Sequence, residues 1–247
     1  MKVFLCGTRY FGQQVFETIT GAGHEVIGVS APVGDRLHRA AVRAGVRHVI
    51  TAGTLSGDTM PDGADLIVAA HSHDFIGSAT LRKTALGGIG YHPSLLPLHR
   101  GRDAVRWAIR MGDRVTGGSV YWLSKNVDGG PIAAQDWCFL PPGADPGELW
   151  REVLQPMGLR LILRTLGDLS RGVVVAVPQD ERLATWEPSL DQPPIFRPDL
   201  PRIGAPAGFA YVTSALDPRA AASGAGHQPL GESSVQADRD LLAMSRT

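Results

Sequence analysis

The sequence predicts an α/β fold, a doubly wound and mostly parallel Rossmann-like sheet. Two observations predict it. Short apolar runs, Val3 to Cys6 and Asp65 to Ala70 among them, read as strands buried on both faces. Stretches of helical spacing closed by glycines lie between such runs, and strands alternating with helices build parallel sheets with right-handed crossovers. The 247 residues suit one such domain plus an extension.

Taken in order, Val3 to Cys6 is the first strand. The turn Gly7-Thr8-Arg9-Tyr10-Phe11-Gly12 leads into a helix carrying Val15, Phe16 and Ile19, which stops at Gly21-Ala22-Gly23. Glu25 to Val29 is the next strand, and a helix from about Arg36 to Ala44 is stopped by Gly45. His48 to Thr51 and Asp65 to Ala70 follow as strands. Arg102 to Met111, with Ala104, Val105, Trp107, Ala108 and Ile109, reads as a helix ending at Gly112. Gly118 to Leu123 is a strand, Ser124 to Gly130 a loop, and Pro131 to Leu140 extended. Asp145 caps a long helix from Pro146 to Ser170, with Pro146 at its first position and a kink at Pro156. Val173 to Val177 is a last short strand. Residues 188–206 are proline-rich and irregular. From about Ala207 the composition is Ala, Gly, Ser and Pro, which predicts disorder with a short helix near Asp238 to Met244.

The chemistry concentrates in Gly90-Tyr91-His92-Pro93-Ser94-Leu95-Leu96-Pro97-Leu98-His99-Arg100-Gly101. Pro93 and Pro97 forbid helix there and bias the preceding residues toward extended geometry, so His92 ends a strand and enters a stiff loop. Ligands of open α/β sheets bind outside the carboxyl ends of the strands, and histidine is the usual proton-transfer group near neutral pH. The plainer alternative is a histidine packed at a strand end. His71-Ser72-His73-Asp74 follows another strand and should rim the same cleft. Its histidines are two apart, a spacing that needs an extended ligand loop, and no further His or Cys cluster is evident, so no metal is expected. The first glycine turn lacks the Lys-Ser/Thr of a P-loop and is not G-x-G-x-x-G, so it reads as a tight strand-to-helix turn.

His92-Pro93-Ser94-Leu95-Leu96-Pro97, Arg100-Gly101, Trp107-Ala108-Ile109, Gly112, Thr116-Gly117 and Asp128-x-Gly130-x-Ile132 occur in one order with fixed gaps. This pattern resembles the N10-formyltetrahydrofolate-dependent formyltransferases, a family with methionyl-tRNA, glycinamide-ribonucleotide and amino-sugar members and a deformylase. The resemblance covers roughly residues 1–190 and implies a formyltransferase catalytic domain with N10-formyltetrahydrofolate as formyl donor and no metal. It makes His92 the general base and acid, with Asp128 orienting it. It implies donor-binding roles for His71, His73, Phe75, Ile76, Gly90, Ser94, Leu95 and Leu96, and acceptor-binding roles for Thr8, Arg9, Arg100 and Tyr121. One departure stands out. The family reads Asn-x-His-Pro-Ser where this chain has Gly90-Tyr91-His92-Pro93-Ser94, so the amide that would face the formyl group beside His92 is absent.

Lys plus Arg and Asp plus Glu both number 24, so the net charge is zero and no nucleic-acid partner is expected. Nor can the tail, some forty residues of low complexity, build the C-terminal β-barrel that methionyl-tRNA formyltransferases use to hold tRNA. No apolar run approaches a membrane span, and Met1 to Leu5 leads straight into a strand rather than a signal peptide, so a cytoplasmic protein is expected. Cys6 and Cys138 lie far apart, outside any redox or metal motif. The expected organisation is a catalytic domain at 1–190, a proline-rich extension at 191–206 and a low-complexity tail at 207–247, with homo-oligomerisation left open. The reading is formyl transfer to the amine of a small molecule. Folate-dependent hydrolysis and a non-catalytic binding protein are the alternatives, the latter favoured by Gly90.

Overall fold

The computed structural model describes residues 1–72 and 74–190. Strands β1 (Lys2–Gly7), β2 (Glu25–Ala31), β3 (His48–Thr51), β4 (Leu66–Ala70) and β5 (Gly88–His92) run parallel. Strands β6 (Val115–Trp122) and β7 (Ile132–Phe139) extend the sheet in antiparallel fashion. The order is β3-β2-β1-β4-β5-β6-β7. The strand order reverses between β1 and β4, which opens a crevice at their carboxyl ends. β6 begins before the expected Gly118, because Val115 to Gly117 pair with Phe139 to Trp137.

Alternation along each strand divides the core. Val3, Leu5, Leu66, Val68, Ile89 and Tyr91 face the larger cluster, built with helices α1 (Arg9–Gly21) and α2 (Arg36–Arg43) and with the helix over Gln155–Ser170. Phe4, Cys6 and Ile67 face the smaller one, where Met60 and Leu55 are joined by Leu81 of α3 (Ser78–Leu81) and by Leu123. Gly90 and His92 lie on this second side, since strand neighbours alternate. Asp35 caps α2 by accepting from the Leu37 N–H, and α4 (Ala104–Met111) ends at Gly112 with φ +72°.

The expected long helix starts at Asp145, whose side chain accepts from the Glu148 N–H. It is α5 (Pro146–Glu148), a π-helical stretch (Leu149–Leu154) and α6 (Gln155–Ser170). The irregularity expected at Pro156 therefore takes the form of a π-helical stretch just before it. A proline ring clashes with the carbonyl four residues back in a regular helix, and a wider turn relieves that crowding. Tyr91 ties this helix to the sheet. Its hydroxyl donates to the Leu154 carbonyl at 2.6 Å. A Cβ at Gly158 would stand 2.6 Å from the Tyr91 ring, so glycine lets α6 close onto β5. The strand that carries Gly90 and His92 is thus locked from its opposite face.

Val173 to Val177 is not a strand. Only Val177 pairs, in an isolated bridge with Ile132, while the Trp122 indole donates to the Val175 carbonyl. The run lies outside the last strand with Val173, Val174 and Val177 exposed, so β propensity found no ladder. Expectations for His73, the 191–206 extension, the 207–247 tail and its terminal helix lie outside the described residues.

Candidate active site

His92 ends β5 and is 6% exposed. Its Nε2 lies 2.7 Å from the His99 carbonyl oxygen. A carbonyl only accepts, so Nε2 carries the hydrogen, and Nδ1 is the bare nitrogen of the neutral ring. Nδ1 stands 3.6 Å from Asp128 Oδ2, too far for a hydrogen bond but within ion-pair range once the ring is protonated.

Asp128 sits in the β6–β7 loop at φ +51°, a conformation that aspartate tolerates better than most residues. Its carboxylate is held from two sides. Oδ2 accepts from the Gly101 N–H at 2.9 Å, and Oδ1 accepts from the Tyr121 hydroxyl at 2.6 Å. Gln179 holds the loop backbone, donating to the carbonyls of Asp128 (2.8 Å) and Gly130 (2.6 Å). The Gln179 oxygen accepts from the Arg100 guanidinium, which also pairs with Glu181. Arg100, expected to bind the acceptor, is here a brace beneath Asp128.

Gly90 pairs directly with Tyr121 across β5 and β6. A Cβ at Gly90 would meet Leu123 Cδ2 and the Tyr121 ring at 3.2 Å. A side chain at position 90 would therefore require Leu123 and the Tyr121 ring to give by a few tenths of an ångström. Burial, and after it the charge of Asp128, push the Tyr121 hydroxyl well above its ordinary pKa.

The loop after His92 is fastened to the antiparallel strands. Ser119 donates to the Ser94 carbonyl (2.6 Å) and accepts from the Leu96 N–H, and Gln135 donates to the Leu96 carbonyl and to Ser119. Ser94 donates to the Leu98 carbonyl at 2.6 Å, and the Leu96–Pro97 peptide is cis. Leu95 packs over Gly117, where an added Cβ would stand 2.8 Å from its Cδ2. His99 follows at φ +56°, its N–H donating to Thr185 Oγ1 at 2.7 Å. Its ring lies between two carboxylates, with Nε2 2.7 Å from Asp113 and Nδ1 3.1 Å from Glu187. Burial works against charge on this ring, but the Glu187 and Asp113 carboxylates flanking it outweigh burial and raise its pKa. His99 so holds its backbone carbonyl on His92.

The other expected site residues group at the β1–β4 crevice. Thr8 donates to the His71 carbonyl at 2.8 Å, and His71 (φ +57°) lies 6.3 Å from the Trp150 ring. The Arg9 N–H, at φ +58°, donates to the Asp35 carboxylate. Asp74 fastens the following loop by accepting from Ser30 (2.7 Å) and from the Gly53 N–H. Phe75 is 83% exposed, whereas Ile76 is partly buried against the smaller cluster. The structure thus brings His92, Asp128, Tyr121 and Gly90 together and places Thr8, Arg9 and His71 at neighbouring strand ends. Beside the Asp128 loop, a cleft of about 360 Å³ is bounded by Leu96, Pro97, Gln135, Val177 and Gln179. Sequence reasoning gave no site role to His99 or Gln135, and Thr185 stood out only within Ala184-Thr185-Trp186, a segment that resembles the family's closing stretch. Their partners lie far along the chain, and only the position of His99 inside the proline-stiffened loop hinted at a role. Among the described residues no group of three or more His, Cys, Asp or Glu could hold a metal ion.

The family described as formyl transferase matches residues 54–165. The mouse (Mus musculus) mitochondrial 10-formyltetrahydrofolate dehydrogenase is 33% identical over 201 residues, which is 76% of this chain and 22% of that protein. The methionyl-tRNA formyltransferase of Chloroflexus aurantiacus is 34% identical, covering 75% of this chain and 64% of that enzyme. The chain thus spans about a fifth of the dehydrogenase and somewhat under two thirds of the tRNA enzyme. Among solved structures, glycinamide ribonucleotide transformylase 1 from Symbiobacterium toebii has a TM-score of 0.60 at 20% identity, covering 73% of this chain and 94% of that one. Its sheet supports the fold alone. The chain is thus similar to the formyl transferase family over residues 54–165, the stretch that holds His92 and Asp128.

Proposed function

We propose that the protein moves a formyl group from N10-formyltetrahydrofolate to the amine of a small molecule. The observation that carries this reading is the state of His92. The His99 carbonyl occupies Nε2 at 2.7 Å, so Nδ1 is the basic nitrogen, and it faces a carboxylate 3.6 Å away. The amine attacks the formyl carbon, and Nδ1 takes its proton. Asp128 supports the resulting imidazolium, as a buried aspartate does in a hydrolytic triad. His92 then returns the proton to N10 of the folate as the carbon–nitrogen bond breaks. Relatives named for 10-formyltetrahydrofolate support this choice of donor.

The test is incubation with N10-formyltetrahydrofolate, with and without a pool of amines, following tetrahydrofolate release. Release that depends on an amine supports the proposal. Release without one assigns hydrolysis, and a protein that binds the donor without releasing tetrahydrofolate under either condition contradicts catalysis.

A further inference from the structure

Formyl transfer passes through a tetrahedral intermediate whose oxygen carries negative charge, and a preorganised donor aimed at that oxygen contributes heavily to the rate of such a reaction. On the sheet face that carries His92, Gly90 offers no side chain. Three donors nearby are engaged in holding the loops. The Gly101 N–H lies on Asp128 Oδ2, the Ser119 hydroxyl on the Ser94 carbonyl, and the Thr8 hydroxyl on the His71 carbonyl. Tyr121 differs. Its ring lies over Gly90, 3.2 Å from where a Cβ would stand, and its hydroxyl shares the carboxylate of Asp128 with His92.

We infer that Tyr121 is a further catalytic residue, and that its phenolic O–H is the hydrogen-bond donor to the formyl oxygen. This rests on the formyl-transfer reading above. In the resting site the hydroxyl donates to Asp128 Oδ1 at 2.6 Å. When the amine attacks, the new N–C bond forms, the carbonyl π pair moves to oxygen, and the amine proton passes to His92 Nδ1. Asp128 then has an imidazolium partner on Oδ2, which weakens its hold on the phenol. Rotation about the phenol C–O bond turns the hydrogen toward the oxyanion without moving the ring. On collapse the oxygen pair re-forms the carbonyl, the bond to N10 breaks, His92 returns its proton to N10, and the tyrosine returns to Asp128. The phenol stays a donor throughout, because its burial beside Asp128 opposes ionisation. A glycine opposite is what this arrangement needs, since any side chain at position 90 would press on the ring.

The test is Tyr121→Phe in the full chain, which keeps the ring and removes one oxygen. The expected result is a fall in kcat of about 10²–10³ with both KM values within about threefold and the pH profile unmoved. A kcat within threefold of the parent overturns the assignment. So does a loss recovered by changing the pH, because the tyrosine would then act only through Asp128. A second variant, Tyr121→3-fluorotyrosine, is isosteric and keeps the fold. Its more acidic hydroxyl is the stronger donor to the oxyanion, so kcat should change by at least about twofold with both KM values held, and an unchanged kcat overturns the assignment. A parent that binds N10-formyltetrahydrofolate without transferring its formyl group fails the functional reading, whereas an active parent with an equally active Tyr121→Phe fails this assignment alone.

Discussion

Replacing Gly90 by asparagine would restore the residue common in the family, and the structure predicts that it damages this protein. The new Cβ would meet Leu123 Cδ2 and two atoms of the Tyr121 ring at 3.2 Å, tighter than ordinary contact, with the amide still to be placed beyond it. Pressing extra atoms into a packed site costs about 1–3 kcal/mol. The group that must yield is the Tyr121 ring, whose hydroxyl bond to the Asp128 carboxylate is worth about 1.5–3 kcal/mol. The two costs overlap, so the sum is about 2–5 kcal/mol of lost stability, a fall in Tm of about 5–15 °C for a domain of this size. Differential scanning calorimetry measures the stability, and tetrahydrofolate release measures the activity. Formyl transfer should fall with it. A Gly90→Asn protein as stable as the parent and a hundredfold more active would refute the reasoning, since His92 and Asp128 would then have lacked only the amide.

Asp128→Asn keeps a residue that tolerates positive φ and removes the charge opposite His92 Nδ1, so kcat should fall by roughly 10³–10⁴ with KM values little changed. A loss of less than tenfold would contradict the role of Asp128. His99→Gln removes a ring whose folded-state pKa is raised above its unfolded value of about 6.5, so the ion-pair contribution is complete below that pH and is lost as the pH rises through the folded value. The variant should be about 1–3 kcal/mol less stable than the parent at pH 5.5, with the gap narrowing toward alkaline pH in urea titrations, and a gap that widens with pH would be the wrong sign. Gln179→Leu strips the Asp128 and Gly130 carbonyls and Arg100 of their shared partner, which should cost about 1–3 kcal/mol and lower kcat. An unchanged Tm would show that the loop does not depend on it.

Much of this was legible in the chain because the signals are local. The apolar runs before Gly7 and His71 are short, bounded and buried on both faces, and they became β1 and β4. Pro93 and Pro97 stiffened the loop that sets His92 at a strand end. Signals that depend on distant partners were not legible. Val173 to Val177 has every local mark of a strand and lacks a ladder. His99 reads as one more loop histidine until Asp113 and Glu187 close on its ring from either side. Nothing local to Arg100 marks its hydrogen bonds to Gln179 and Glu181, far along the chain. The absent amide at Gly90 was visible, but its filling by a tyrosine from β6 depends on the register that pairs Gly90 with Tyr121.

The proposed chemistry rests on His92 working through Nδ1, because the His99 carbonyl holds a hydrogen on Nε2. Long-range ¹H–¹⁵N correlation spectra of histidine-labelled protein, with His92→Ala to assign the signals, read this tautomer directly. The expected result for the neutral ring is a hydrogen on Nε2 and an unprotonated Nδ1. A neutral ring carrying its hydrogen on Nδ1, bonded to Asp128 as in a serine hydrolase, would contradict it.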